Sequence, residues 1–407
     1  MAYNTFIAPR HIHSGPGSLD ALADLGGKKA FIVTDEVIKK LGILKQVEKI
    51  LKASGAKTKV FDKVEPEPSK DTAWKVGAMM RTFKPDLIVG LGGGSAMDVG
   101  KVAWVLYEHP NMAELNFKEF ERGFRKAKLR KKATYVAIAT SSGTGSEVTS
   151  SAVVTDWDQK PPYKAGLSSL EVIPDVAIVD PNLTLSMPPA VTANTGFDAL
   201  IHATECYILI DPNPIVDALA LSAANTIFKW LPKAVKNGND LEARDQMHTA
   251  ALKAGMAFSN GRLGAVHVPA HDIGSSFNIP HGRSNAFMLC PVFAHLYKHR
   301  KKRFADLATA LGFKGSSQKE KTNNLLKGLD SLKRKVDIPV AIKKSKISEK
   351  KFMKEIDGIV DAYMARLGNM LGGLPLAQQR QIALPTNAEV VKDLYMHAWN
   401  GTREVLK

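Results

Sequence analysis

The sequence is poor in cysteine. Only Cys206 and Cys290 occur in 407 residues, which excludes a disulfide scaffold and a CxxC zinc module. Both sit in apolar stretches and read as core residues. Long hydrophobic runs are missing too. No segment reaches the roughly 18 unbroken apolar residues of a membrane helix. The opening stretch has neither a basic n-region nor an apolar h-region, so no signal peptide is expected and the cytoplasm is the expected compartment. No internal repeat is visible. Acids are in deficit, with 40 Asp and Glu against 56 Lys and Arg, a net charge of +16.

That excess is local. Arg122 to Lys132 holds seven basic residues and no acid, and Lys298 to Lys354 holds 18 basic residues and five acidic ones. Such stretches could bind nucleic acid or an anionic surface. The second has few aromatics, so it lacks the stacking residues of single-strand binders. Its apolar residues fall at helical spacing: Phe304, Leu307, Ala308 and Leu311, then Leu325, Leu326, Leu329 and Leu332. Both stretches read as solvated basic helix faces, with no nucleic-acid or membrane partner expected. With 44% hydrophobic and 24% charged residues, a chain this long can bury a large core without staples, in two or three domains.

The first 185 residues alternate apolar runs with amphipathic helices. Expected strands are Lys29 to Asp35, Lys57 to Asp62, Asp86 to Leu91 and Thr134 to Thr140; expected helices are Ile43 to Ala53 and Thr72 to Thr82. Strands spaced by helices imply a mostly parallel sheet covered on both faces. Beyond about Ser186 the strands stop and helical patterns take over, clearest at Phe197 to Leu209, Ile215 to Leu231 and Leu241 to Phe258. The expected architecture is an α/β domain over 1–186 and an all-helical domain over 187–407. Lys314 to Lys321 is the expected loop.

Two loops invite an anion. Gly90-Leu91-Gly92-Gly93-Gly94-Ser95 follows a strand and precedes a helix. Amides at a helix start have no intrahelical partner, and glycines let a phosphate approach them. Ser95 stands where the third glycine of a GxGxxG fingerprint would be, so this is not the standard Rossmann loop. Taken alone, it is equally a tight turn. Thr140-Ser141-Ser142-Gly143-Thr144-Gly145-Ser146-Glu147 also follows a strand and is rich in hydroxyls. Two such loops fit a dinucleotide lying across strand ends. Asp35, ending the first strong strand, could accept from an adenosine ribose and repel a 2′-phosphate, favouring NAD over NADP. Its alternative role is a helix N-cap.

The helical half carries a metal-like constellation. Asp198 and His202 are four apart, on one helix face. His267, His271 and His281 fall within 15 residues, in small and apolar surroundings. One carboxylate with two or three imidazoles suits a catalytic divalent ion, Fe2+ or Zn2+.

The segments GGGSAMD (92–98), ATSSGTGSEVT (139–149), DPNLT (180–184), TGFDALIHATECY (195–207) and Gly264 to Gly282 together resemble the iron-dependent alcohol dehydrogenase family. The resemblance runs from Asn4–Gly17 to Leu384-Pro385-Thr386-Asn387. It implies an NAD(H)-binding α/β domain with a mostly parallel sheet, an all-α metal-binding domain, and a cleft between them. It implies metal ligands at Asp198, His202, His267 and His281, Fe2+ before Zn2+, and a further active-site histidine at His271. Cofactor contacts are implied at Asp35, Gly93, Gly94, Ser95, Asp98, Thr140, Ser141, Thr149 and Lys164. A small alcohol or aldehyde substrate and a homo-oligomer are implied as well. One departure is Glu67, where relatives more often show Asn. Arg262 and Arg283 also depart, standing near ligands where relatives tend to be uncharged. Facing inward, either guanidinium would recognise an anionic group on the substrate; facing away, it would make a structural ion pair. The expected activity is NAD(H)-linked oxidation of a short-chain alcohol or reduction of its aldehyde. A metal- and NAD-dependent lyase or synthase of the same fold, and a basic nucleic-acid-binding protein, are the alternatives.

Overall fold

The computed structural model describes residues 5–159, 163–209, 211–372, 384–404 and 406. Asn4, at the start of the matched opening, lies outside them. The first unit is built on a six-stranded parallel sheet of β1 (His11–Ser14), β2 (Lys29–Val33), β3 (Lys57–Phe61), β4 (Leu87–Gly92), β5 (Thr134–Ala139) and β8 (Val176–Val179), in the order β1-β8-β5-β4-β2-β3. An antiparallel hairpin of β6 (Ser151–Asp156) and β7 (Tyr163–Ser168) stands apart from it. Helices α1 (Glu36–Lys40), α2 (Ile43–Ala53), α3 (Lys70–Phe83), α4 (Gly94–Glu108) and α5 (Phe117–Phe124) connect the strands.

Both faces of the sheet are buried, which is why its strands read as continuous apolar runs. Phe31, Val33, Ile88, Tyr135 and Ala137 point into a core with α3, α4 and α5. Their alternate neighbours Ala30, Ile32, Val89, Val136 and Ile138 point into the opposite core with α2. Strand β2 pairs with β3 on one side and β4 on the other. The chain reverses direction across the sheet there, so Asp35 and the Gly92 turn leave adjacent strands at a topological switch point, the usual seat of a ligand in open α/β sheets.

The second unit is helical: α6 (Pro189–Leu209), α7 (Pro214–Lys236), α9 (His267–Phe277), α10 (His281–Ala310), α11 (Gln318–Lys335), α12 (Glu349–Gly372) and α13 (Ala388–Asn400). Helix α10 is kinked at Arg300. Among the described residues, no helix is long and apolar enough to cross a membrane.

Several expectations shift. Strands β1 and β8 are four residues long, too short for a periodicity signal, and β6 and β7 mix polar with apolar residues rather than forming an apolar run. Helix α6 begins eight residues before Phe197, because Pro189 is compatible with a first helical turn. Helix α11 begins at Gln318, capped by the Ser317 hydroxyl, so the expected loop ends before that helix rather than at Lys321. A single seam near 186 also omits an exchange. Helix α8 (Leu241–Ser259) belongs with the α/β unit, which comprises Met1–Met187 and Asn239–Ser259. Pro188–Gly238 and Asn260–Lys407 form the helical unit. The reason is packing: Leu252 of α8 is buried with Val148, Ala177 and Val179.

Tyr135 shows how tightly the sheet unit is assembled. Its hydroxyl donates to the Met97 carbonyl at 2.8 Å, and its ring crosses the backbone at Gly90 and Gly100, where any Cβ would strike it. Gly90→Ala or Gly100→Ala should therefore cost about 1–3 kcal/mol of stability by overpacking. Tyr135→Phe, added to either, should return part of that loss by removing the struck hydroxyl. Thermal unfolding of the single and double variants checks this; strictly additive losses would contradict the contact.

Candidate metal centre and cofactor loops

Helix α6 presents Asp198 and His202 one turn apart, both buried. His202 Nε2 lies 3.8 Å from Asp198 Oδ2. His267 opens α9 and His281 opens α10. Their Nε2 atoms lie 3.7 Å and 3.5 Å from Asp198 Oδ1. A tetrahedral ion with bonds of about 2.05 Å holds its ligand atoms about 3.3 Å apart, so these spacings are close to what one ion requires. One ligand atom each from Asp198, His267 and His281 lies within 4.8 Å of the others. The His202 ring stacks on that of His267, with centroids 5.0 Å apart. His271, one turn into α9, lies 4.8 Å from the His281 ring, centroid to centroid. All five expected residues thus meet in the helical unit. Gly282 makes room for the start of α10, because a Cβ there would strike the Asn194 carbonyl.

Two further residues organise the cluster. Glu205 is fully buried. Its Oε1 accepts from the amides of Gly264 at 2.6 Å and Val266 at 3.0 Å, and its Oε2 bonds His267 Nδ1 at 2.6 Å. Asn285 donates through Nδ2 to Asp198 Oδ1 at 2.8 Å and lies 3.1 Å from His281 Nε2. Neither residue was expected from sequence, yet a spacing signal exists. Glu205 is seven after Asp198 and three after His202, and Asn285 is four after His281, each on the ligand-bearing face.

The cluster fits a divalent cation. His267 Nδ1 is engaged by Glu205, while its Nε2 is buried, makes no hydrogen bond among the described residues and faces Asp198. That is the carboxylate–imidazole arrangement of metal-binding histidines. Burial alone would raise the Asp198 carboxyl, but His202, His281 and His267 outweigh it and hold the group far below the usual carboxylate range. Burial pushes His202 down to about 4. His267 moves the other way, up to about 9, because Glu205 and Asp198 overcome burial. The result is a buried carboxylate ringed by imidazoles, with no thiolate among the donors.

The expected cofactor residues lie in the α/β unit. Asp35 caps α1: its Oδ1 accepts from the Val37 and Ile38 amides at 2.8 and 3.0 Å. Its Oδ2 lies beside the glycine turn, 3.4 Å from where a Cβ on Gly92 would stand. Gly92 has φ +147, a conformation that suits glycine. Gly93 caps α4, and Gly94 and Ser95 form its first turn. The second loop lies against this turn. Thr140 N donates to Gly92 O at 3.0 Å; a Cβ on Gly93 would stand 3.5 Å from Ser141 Oγ, and one on Gly94 3.1 Å from Thr144.

Asp98 and Thr149 are turned inward. Asp98 accepts from Ser146 Oγ at 2.7 Å and Val153 N at 2.9 Å. Buried Lys101 donates to the Ser146 carbonyl at 2.7 Å, the Thr149 carbonyl at 3.0 Å and the Ser151 carbonyl at 2.8 Å. Burial lowers the Lys101 ammonium to about 8, against the pull of Asp98 and Glu147. Lys164 pairs with Glu67 at 3.2 Å. Glu67 has φ +53, a left-handed conformation in which Asn is favoured over Glu. Arg283 Nε reaches Asn194 Oδ1 at 3.4 Å, and Arg262 is half-buried; among the described residues neither pairs with a carboxylate.

Comparison with known proteins agrees with both halves. Residues 9–181 match the iron-containing alcohol dehydrogenase model, and residues 192–370 match that of the Fe-containing alcohol dehydrogenase family, C-terminal. The NADPH-dependent butanol dehydrogenase of Clostridium saccharobutylicum is 40% identical over 86% of this chain and 89% of its own length. The chain spans only 44% of the bifunctional aldehyde-alcohol dehydrogenase AdhE of Escherichia coli, to which it is 36% identical over 91% of its own length. A crystal structure of 1,3-propanediol oxidoreductase superposes with a TM-score of 0.86 at 30% identity, covering 98% of this chain and 100% of that one. Sulfoacetaldehyde reductase from Bifidobacterium kashiwanohense, in complex with NAD+, superposes with a TM-score of 0.81 at 26% identity, over 98% and 99% of the two chains. With both halves matched in order and the aspartate–histidine cluster assembled, the chain belongs to the iron-containing alcohol dehydrogenase family, oxidoreductases that act on CH–OH groups with a nicotinamide cofactor.

Proposed function

We propose that this protein is an NAD(H)-linked, short-chain alcohol dehydrogenase or aldehyde reductase whose one divalent ion is held by Asp198, His202, His267 and His281. The observation that carries the reading is the buried His267 Nε2, which has no hydrogen bond among the described residues and lies 3.7 Å from Asp198 Oδ1. When bound, the ion supplies Lewis-acid polarisation of the substrate oxygen, and the nicotinamide supplies or accepts the hydride. Imidazole and carboxylate donors accept Fe2+ or Zn2+, and family membership favours iron. The Gly92–Gly94 turn and the Thr140–Thr144 loop bind the pyrophosphate, and His271 handles the proton of the substrate hydroxyl. A homo-oligomer belongs to the same reading. The lyase and nucleic-acid alternatives gain no support from the matches.

The activity is tested by following NADH consumption with an aldehyde panel on iron- and zinc-loaded protein. His267→Ala and Asp198→Asn should lose bound metal and turnover together while keeping the far-UV dichroism of the parent, since the large core does not depend on the ion. Full turnover in either variant would contradict the ligand set.

Asp35 supports NAD(H) over NADP(H). Capping α1 occupies one carboxylate oxygen, and the other stays beside the glycine turn, where a ribose hydroxyl could donate to it. The butanol dehydrogenase relative is named for NADPH, so the choice turns on this chain's own residue. Asp35→Gly should shift the NADH/NADPH ratio of kcat/KM by about tenfold toward NADPH, the equivalent of ~1.4 kcal/mol. A parent enzyme already faster with NADPH would overturn the reading.

We further propose that the substrate carries an anionic group read by Arg262 or Arg283. Both guanidiniums lack a carboxylate partner among the described residues, and a structural relative is named for an anionic aldehyde. A charge-assisted hydrogen bond is worth roughly 1.5–3 kcal/mol, or about 10- to 100-fold in kcat/KM. Arg→Ala at the responsible position should cost that factor with sulfoacetaldehyde and little with propanal. Equal losses on both aldehydes, or a parent enzyme that prefers propanal, would refute it.

A further inference from the structure

The loop Thr140–Gly145 is made of small residues, which offer little side-chain area with which to fix its shape. Its shape must be imposed from outside, and much of that support comes from α8. After Met187, residues 239–259 are the part of the chain that returns to the α/β unit. Gly255 of α8 lies directly on Gly145: a Cβ on either residue would come within 2.8 Å of the other's Cα. Ser259 Oγ accepts from the Ser150 amide at 3.2 Å.

Between these contacts and the start of α8 lies His248, fully buried in the same unit. Its Nε2 is 3.3 Å from the Ala139 carbonyl and its Nδ1 is 3.0 Å from Ser142 Oγ. A carbonyl can only accept, so Nε2 carries the proton and Nδ1 accepts from the serine hydroxyl. Burial lowers the ring's pKa to about 4, so the imidazole is neutral and brings no charge to the loop. Ala139 is the last residue of β5 and Ser142 is three residues on. The ring therefore brackets Thr140 and Ser141, where the strand hands over to the loop.

We propose that His248 is a positioning residue for nicotinamide-cofactor binding, holding Thr140 and Ser141 in place through its bonds to Ala139 and Ser142. The proposal rests on the reading of Thr140–Thr144 as a cofactor loop. It assigns a cofactor role to a helix that follows the first helices of the other unit in sequence, and to a histidine outside the metal cluster.

The test is NADH affinity of the holoenzyme by fluorescence titration, with steady-state kinetics alongside. His248→Leu should raise the NADH Kd and KM about tenfold, the equivalent of one lost hydrogen bond of ordinary strength. It should leave kcat at saturating NADH and bound metal near the parent values. His248→Asn, whose Oδ1 can take the place of Nδ1 as acceptor from Ser142, should recover most of the affinity. Ser142→Ala should mimic His248→Leu, and the double variant should be no worse than either alone. Should His248→Leu fail to fold, Ser142→Ala and His248→Asn carry the comparison. A lowered melting temperature with unchanged NADH Kd in Ser142→Ala and His248→Leu would overturn the proposal and leave a purely structural residue. Thr140→Ala and Ser141→Ala test the underlying reading separately. If both bind NADH like the parent, the loop is not a cofactor site and the proposal falls with it.

Discussion

A single buried carboxylate organises the metal centre. Glu205 has no exposed surface, and its two oxygens take three hydrogen bonds, two from the backbone just ahead of α9 and one from the first residue of α9. Those bonds fix where α9 begins. In the neutral ring that an ion requires they also fix the His267 tautomer, because the carboxylate accepts from Nδ1–H and leaves the Nε2 lone pair facing Asp198. Leaving a carboxylate buried without such partners would cost several kcal/mol, so the three contacts stand or fall together. Asn285 links α10 back to α6 in another way, donating through Nδ2 to Asp198 Oδ1 and standing beside His281 Nε2.

In the α/β unit a buried charge again backs the expected ligand loop, with the sign reversed. The Lys101 ammonium gathers the carbonyls of Ser146, Thr149 and Ser151, and Asp98 beside it ties Ser146 to β6. Asp98 and Lys101 both stand on α4, the helix that opens with the glycine turn. One helix thus carries the first loop and anchors the end of the second.

Much of this was legible in the sequence. The parallel sheet showed in its apolar runs, and the aspartate–histidine cluster showed in the i, i+4 spacing of Asp198 and His202 and in the crowding of histidines from 267 to 281. Asp35 is the helix cap that was the alternative to a ribose contact, and its other oxygen lies beside the glycine turn. What stayed hidden depends on contacts distant in the chain. Strands β1 and β8 are set by pairing, β8 with β5 and β1 with β8, not by a pattern that four residues carry. Helix α8 has the periodicity of its helical neighbours, and contacts such as Leu252 on Val148, Gly255 on Gly145 and His248 on Ser142 reveal which unit it serves. Glu205 looked like one more residue of a helical motif until its partners at 264, 266 and 267 were in place.

The most direct test of the account is the metal affinity of Glu205→Gln. The substitution keeps the size of the side chain and an oxygen for the Gly264 and Val266 amides. It puts an amide donor opposite His267 Nδ1, which forces the proton to Nε2 and removes the lone pair facing Asp198. Titration of the apoprotein with Fe2+ or Zn2+, read by calorimetry, should show an affinity 10- to 100-fold below that of the parent, the usual cost of losing such a partner, with far-UV dichroism unchanged. An affinity equal to the parent's would contradict the claim that Glu205 prepares His267 to hold the ion.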